Sequence, residues 1–339
     1  MMDDILYKLD RVSHFYGDKK VLDIEQLAIK TGSITGLSGP NGSGKSTLLK
    51  LLAFAMKPSK GEIRFNNQVE VPLSPRIRSK VTLLTQKPYL LKRSVFDNVI
   101  YGLKIRKDTT NLKQRAARAL EQVGLDYDDF HNRYWHELSG GEAQRVAMAA
   151  RLILKPKALL LDEPVASVDS KSAQLIRKAS LWAKDEWGCT LVIVSHDLAW
   201  LHECSDTRIS MAGGSIFSTG EESIIPPPYT EKAKNRVIKD LGNNEAINLS
   251  QRTGSTAVIT QDRITLSRSK KQGNGYGNQV TAQVTQMLLE QKTGEILTTL
   301  AMDNFTLTLS LSPDQISNLE LQPGMDIILM FNTKDIAWR

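Results

Sequence analysis

The chain has 339 residues, 41% hydrophobic and 24% charged, with 44 Lys and Arg against 37 Asp and Glu and a formal charge of +7. That length suits one large domain plus a smaller one, at about 100 to 200 residues each. No apolar run approaches the ~20 residues that span a bilayer, and the start Met1-Met2-Asp3-Asp4 is acidic where a secretory leader would be basic, so neither feature is expected. Cys189 and Cys204 are too few for a disulfide framework and are read as free thiols without a chemical role. Residues 246–339 hold eight positive and eight negative side chains, so the whole basic excess lies upstream, dispersed as on solvated helix faces.

In chain order, segments 5–12 and 21–29 carry spaced apolar residues, 34–37 is a short apolar strand, and 47–56 continues as a helix-like run. Strands are expected at 80–85, 158–161 and 190–194, with helices at 112–123 and 171–187. Strands alternating with helices predict an α/β core around a largely parallel sheet. Residues 209–217, broken by Gly213-Gly214, read as a closing hairpin. Pro226, Pro227 and Pro228 can continue neither a helix nor a central strand, which ends the first domain at 225 and leaves 226–250 as a linker or bridging helix. From 251 to 339 the pattern changes to period two, as in Val280, Ala282 and Val284 or Leu307, Leu309 and Leu311, and predicts a small β domain.

Three motifs carry chemistry. Gly39-Pro40-Asn41-Gly42-Ser43-Gly44-Lys45-Ser46-Thr47 follows a strand and fits the phosphate-cradling P-loop, whose backbone N–H groups converge on phosphate oxygens. Lys45 then neutralises β- and γ-phosphate charge and Ser46 offers its hydroxyl to Mg²⁺. Leu159-Leu160-Leu161-Asp162-Glu163 ends a buried strand in two carboxylates, the first placed for Mg²⁺ and the second to polarise water. Ser139-Gly140-Gly141-Glu142, preceding Gln144-Arg145, combines a hydroxyl, two glycines and a helix start into a second phosphate-binding surface. One chain cannot easily close both surfaces on the same nucleotide.

Over residues 5–220 the sequence resembles the ATP-binding subunits of ABC transporters, with the motifs of that family in its order. The resemblance implies a P-loop NTPase fold that binds ATP and Mg²⁺. It makes Gly39 to Thr47 the Walker A loop, Gln86 the Q-loop glutamine and a Mg²⁺ contact, and Ser139 to Glu142 part of the signature. It further makes Asp162 and Glu163 the Walker B pair, Ser167 to Asp169 the D-loop, His196 the switch histidine and Tyr16 the aromatic that stacks on adenine. Glu142 stands where glutamine is common, and Val165 where Ser or Thr is frequent; neither change removes a catalytic group. The implied assembly is a head-to-tail homodimer with ATP between the P-loop of one copy and the signature of the other. It would sit peripherally on the cytoplasmic face of the membrane, against permease subunits that contact the segment from Gln86 to Tyr101.

Residues 275–338 resemble the molybdate-binding, OB-like β domain appended to oxyanion importer ATPases, on Asn278 to Val284, Leu311 to Ile316, Leu321 to Met325 and Phe331 to Lys334. Gly277 stands where arginine often precedes the asparagine. Asn278, Ser312, Thr333 and Lys334 are the candidate oxyanion contacts. The domain is electrically neutral and its aromatics form no run, so nucleic acid is not an expected partner. The long linker and single C-terminal copy look more like tungstate than molybdate importer ATPases, which implies an extracytoplasmic oxyanion-binding protein as a further partner. Import of sulfate, iron, a polyamine or a sugar is the alternative within the fold. A regulatory nucleotide switch with little turnover is the alternative outside transport.

Overall fold

Leu159, Leu160 and Leu161 are all buried, and a strand with no exposed face needs cover on both sides. A computed structural model supplies that cover; it describes residues 4–166, 168–218, 222–232, 236–242, 245–249, 253, 256–270, 276–290, 293–302 and 305–338. The chain divides into two compact units, 1–209 and 210–339.

The first unit runs β1 (Ile5–Tyr16), β2 (Lys19–Lys30), β3 (Ile34–Ser38), α1 (Lys45–Leu52), β4 (Lys60–Phe65), β5 (Gln68–Val69), α2 (Pro75–Arg78), β6 (Val81–Leu84) and α3 (Val95–Ile105). It continues through α4 (Leu112–Gln122), α5 (Tyr127–Phe130), α6 (Gly140–Leu152), β7 (Ala158–Asp162), α7 (Ser170–Trp187), β8 (Thr190–Val194) and α8 (Leu198–Cys204) to β9 (Thr207–Ala212). Strands β3, β8, β7 and β6 lie side by side and parallel, as the alternation of strands and helices predicts. Strands β2, β1, β4 and β5 form a separate antiparallel sheet, which the sequence reading did not anticipate.

Register places the site. Leu37 pairs with Val194, Val194 with Asp162, and Leu84 with Leu161, so the carboxyl ends of four parallel strands finish level. In open α/β sheets ligands bind beyond those ends. Here the P-loop, Gln86, Glu163 and His196 each follow one of them.

Helix boundaries follow local chemistry. Ser94 caps α3 by accepting from the Asp97 amide at 3.1 Å, Asp169 caps α7 by accepting from Ser172, and Gly188 ends α7 at φ 67°. The apolar faces of α3, α4, α6 and α7 close one core with β7 and β8, in which Cys189 is fully buried and its thiol pushed up to about 12 by burial.

The second unit contains β10 (Ser215–Ser218), β11 (Glu222–Ile225), β12 (Thr230–Lys232), β13 (Arg236–Gly242), β14 (Glu245–Leu249), β15 (Ala257–Thr260) and β16 (Thr265–Ser267). It ends with β17 (Asn278–Leu289), β18 (Ile296–Met302), β19 (Phe305–Leu311), α9 (Pro313–Leu319), β20 (Asp326–Phe331) and β21 (Ile336–Trp338). Residues 226–250, expected as a linker or bridging helix, instead supply the antiparallel sheet β12-β13-β14. Val237 and Leu241 alternate on β13, Ile247 and Leu249 on β14, and all four are buried in the core of the second unit, which a free linker would leave in water. The division between the units also falls within β9, upstream of the expected boundary at 225.

Candidate functional site

Between β3 and α1 the P-loop turns through left-handed backbone at Gly39 (φ 141°), Gly42 (φ 79°) and Gly44 (φ 105°), conformations open to glycine and strained for other residues. No side chain caps α1 at Gly44, so its first amides keep their donors for a ligand. Lys45, 7% exposed, donates to the carbonyls of Gly39 at 2.7 Å and Pro40 at 2.9 Å. Burial lowers its pKa, and the nearby carboxylates of Glu163 and Asp162 oppose that shift. Asn41 and Ser46 are exposed at the loop, and the Ser43 hydroxyl is buried without a hydrogen-bond partner among the described residues.

Glu163 sits at φ 49°, unusual for a residue with a side chain, immediately after β7. Its amide donates to the Val194 carbonyl at 3.0 Å, which ties the turn to β8. The His196 amide donates to Glu163 Oε2 at 3.3 Å. His196 Nε2 stands 3.1 Å from Oε1, an ion-pair separation that lacks hydrogen-bond alignment, since Oε1 is otherwise unpartnered. Burial raises the pKa of Glu163, against the lowering influence of His196 and Lys45. A carboxylate held this way can accept a proton from water more readily than an ordinary one. Asp162, 9% exposed, makes no hydrogen bond through its side chain among the described residues. Its carboxylate, the exposed Ser46 hydroxyl and the exposed Gln86 amide each offer a hard oxygen of the type that suits Mg²⁺.

Tyr16, 48% exposed, ends β1 with its ring edge-on to His14 at 5.0 Å and its hydroxyl 3.8 Å from Met56 Sδ. Such an exposed aromatic face is open to stacking by a base.

The signature opens α6 with a capping box. Ser139 Oγ accepts from the Glu142 amide at 3.3 Å, and Glu142 Oε2 accepts from the Ser139 amide at 2.8 Å. That second bond is the main reason the Glu142 carboxyl lies below its usual range. Glutamate therefore performs the capping that glutamine would. Gly140 is exposed, whereas a Cβ on Gly141 would stand 2.7 Å from Ser172 Oγ and 2.9 Å from Asp169 Oδ2. Ser167 lies outside the described residues; Asp169 is the N-cap of α7.

Two contacts escaped the sequence reading. Gln144, 2% exposed, donates from Nε2 to the Pro164 carbonyl at 3.2 Å. Asn98, inside the segment expected to meet a permease, faces inward and bonds the backbone of Leu91, Arg93 and Ser94. The exposed aromatic groups of that segment are Tyr89 and Tyr101, the latter under the Arg93 guanidinium at 5.3 Å.

In the second unit two of the four candidate oxyanion contacts, Asn278 and Ser312, are engaged locally. Asn278 is buried and exchanges both amide hydrogen bonds with the Asn248 backbone, at 2.6 and 3.0 Å. Ser312 caps α9 by accepting from the Gln315 amide at 3.2 Å. Thr333 and Lys334 lie in one helical turn capped by Asn332. A groove of about 530 Å³ in this unit includes Glu245 and Asp326 and no lysine or arginine among its lining residues, the wrong sign for an anion.

The sequence profile described as ABC transporter matches residues 22–166. The chain is 35% identical over 202 residues to the tungstate uptake system ATP-binding protein TupC of Peptoclostridium acidaminophilum, covering 59% of this chain and 92% of that protein. It is also 35% identical over 247 residues to the spermidine/putrescine import ATP-binding protein PotA of Mesoplasma florum, covering 73% and 69%. A solved ATP-binding cassette, a dimer in a post-hydrolysis state with ADP and phosphate, matches with TM-score 0.57 at 28% identity over 63% of this chain and 98% of its own. The cbiO1 protein of Clostridium perfringens, part of an ABC transporter complex, matches with TM-score 0.55 at 29% identity over 63% and 88%. No helix among the described residues is long and apolar enough to cross a membrane. With P-loop, acidic strand end and signature in one fold, and with this breadth of similarity, the chain belongs to the ABC transporter family as an ATP-binding, ATP-hydrolysing subunit.

Proposed function

We propose that this chain powers an importer whose cargo is an oxyanion, tungstate first and molybdate next. The observation that carries the hydrolytic part is the level finish of β3, β8, β7 and β6, which gathers Lys45, Asp162, Glu163 and His196. Glu163 takes a proton from the attacking water, and His196 holds that carboxylate and reaches the γ-phosphate. Lys45 and the amides opening α1 hold the β- and γ-phosphates, Tyr16 stacks on adenine, and Gln86 orients the water. Ser46, Asp162 and Gln86 would hold Mg²⁺, which when bound neutralises charge on the phosphate oxygens.

The signature residues Ser139, Gly140, Gly141 and Glu142 face the nucleotide of a second copy in a head-to-tail homodimer; the dimeric solved relative supports the pairing of two copies. The first unit is the nucleotide-binding domain, and the β-rich second unit is an OB-like accessory domain that shapes the dimer. Permease subunits hold the assembly at the cytoplasmic face of the membrane, and an extracytoplasmic binding protein delivers the cargo.

The cargo reading is supported by the tungstate uptake relative, 92% of which is covered. A polyamine is the second reading, because the PotA matches extend over 247 residues and so past the first unit. The test is ATPase activity of the chain reconstituted with its permease and binding protein, titrated with tungstate, molybdate, sulfate and spermidine. Stimulation by tungstate at the lowest concentration supports the proposal; stimulation by spermidine alone replaces the cargo and keeps the importer.

A further inference from the structure

Helix α6 begins at the signature, and less than two turns later it touches the turn that carries Glu163. The bridge is Gln144, whose Nε2 donates to the Pro164 carbonyl at 3.2 Å. Proline has no N–H, so that carbonyl is the only hydrogen-bonding group through which Pro164 can be held. Glu163 is fixed on its other side by its amide bond to Val194 at 3.0 Å, while its carbonyl accepts from Ala166 at 3.2 Å. The left-handed turn at Glu163 is thus suspended between β8 and the signature helix.

Gln144 is a costly way to fill this space. Its Oε1 is buried without a hydrogen-bond partner among the described residues, a destabilising omission. A methionine of similar volume would fill the site without an orphaned Oε1, but it would leave the Pro164 carbonyl without its donor. Packing alone therefore does not account for the amide; its Nε2–H on Pro164 does. The first turn of α6 also packs closely on the start of α7, where a Cβ on Gly141 would stand 2.7 Å from Ser172 Oγ and 2.9 Å from Asp169 Oδ2.

We infer that Gln144 is a positioning residue that couples engagement of the signature surface to the placement of the Glu163 carboxylate in the same chain. The inference rests on the reading of Glu163 as base and of the signature as facing a second copy's nucleotide. Binding at the partner's P-loop then sets the carboxylate in this chain's own site, which makes hydrolysis at the two sites interdependent.

The test uses the full-length chain in Gln144→Met, Gln144→Glu and Glu163→Gln forms. Each is assayed for steady-state hydrolysis, nucleotide affinity, thermal midpoint and the Hill coefficient for ATP. Gln144→Met is expected to lower kcat by about tenfold to a hundredfold, the cost of a misplaced reacting group, and to reduce the Hill coefficient. Nucleotide affinity should stay within about twofold, and the thermal midpoint should stay near the parent's, since the orphaned Pro164 carbonyl replaces the orphaned Oε1. Gln144→Glu can donate to Pro164 only when protonated, so its activity relative to the parent should recover as the pH is lowered. Parental kcat and Hill coefficient in Gln144→Met overturn the inference, as does a fall in kcat matched by falls in affinity and thermal midpoint. If Gln144→Met fails to fold, a pH-independent activity ratio for Gln144→Glu overturns it instead. Parental hydrolysis by Glu163→Gln would sink the reading of the site itself, whereas inactivity there with a parental Gln144→Met sinks only the coupling.

Discussion

The amide of His196 donates to Glu163 Oε2 at 3.3 Å, while its Nε2 stands 3.1 Å from Oε1, so one histidine faces both oxygens of the carboxylate. This arrangement comes from two neighbouring strands, β7 and β8, ending at the same level through the pairing of Asp162 with Val194. Substituting Glu163 by Gln keeps the shape and the amide contact but removes the proton acceptor. Hydrolysis is expected to fall by about 10² to 10⁴-fold with nucleotide binding retained. Single-turnover hydrolysis beside equilibrium nucleotide binding checks both halves.

The same burial that raises the Glu163 pKa shapes the pH profile. A raised carboxyl protonates sooner as the pH falls, so the base is lost at higher pH than for an ordinary glutamate. The acid limb of kcat/KM, which reports the nucleotide-free enzyme, is expected to have its midpoint above 4.5, the unperturbed value. A limb centred at or below that value would show that burial does not govern the step.

Gly140 and Gly141 are neighbours with opposite surroundings. A methyl group on Gly140 meets nothing within 4 Å, whereas one on Gly141 meets Ser172 Oγ at 2.7 Å and Asp169 Oδ2 at 2.9 Å. Gly141→Ala is expected to destabilise the fold by about 1–3 kcal/mol through overpacking. Gly140→Ala should leave stability unchanged or slightly higher, since alanine is the better helix former. Chemical denaturation of the two variants distinguishes them.

Glu142 accepts from the Ser139 amide, and its carboxyl lies below the ordinary value of 4.5 for that reason first. For a lowered carboxyl, the stabilisation is complete above the unfolded-state value and disappears as the pH falls through the folded-state one. Gln accepts the same hydrogen bond at every pH. The stability advantage of the parent over Glu142→Gln is therefore expected to shrink as the pH drops below 4.5, measured by thermal unfolding of both proteins across that range.

Asn278 closes two hydrogen bonds to the Asn248 backbone from a buried position. Asn278→Ala would orphan an N–H and a carbonyl, at about 1–3 kcal/mol for a buried group. Earlier unfolding of the second unit is expected, with hydrolysis by the first unit kept. Calorimetry beside an ATPase assay reads both; an unchanged unfolding profile would return Asn278 to the list of ligand candidates.

What the sequence by itself determined is local. The glycine spacing from Gly39 to Gly44 dictates a left-handed, phosphate-sized loop because only the backbone is involved. The apolar run ending at Asp162 announces a buried strand with an acidic tip, and Ser139 with Glu142 announces a helix start. The tertiary structure alone decided which distant groups meet. Gln144 and Pro164 are 20 residues apart, His196 and Glu163 are 33 apart, and Asn278 and Asn248 are 30 apart. No local pattern encodes such pairings, since they depend on strand register and helix packing. The stretch 226–250 was misread for the same reason: Val237, Leu241, Ile247 and Leu249 gain their meaning only when a core closes over them. Periodicity tells which side chains seek burial, but the partner that buries them is chosen by the fold.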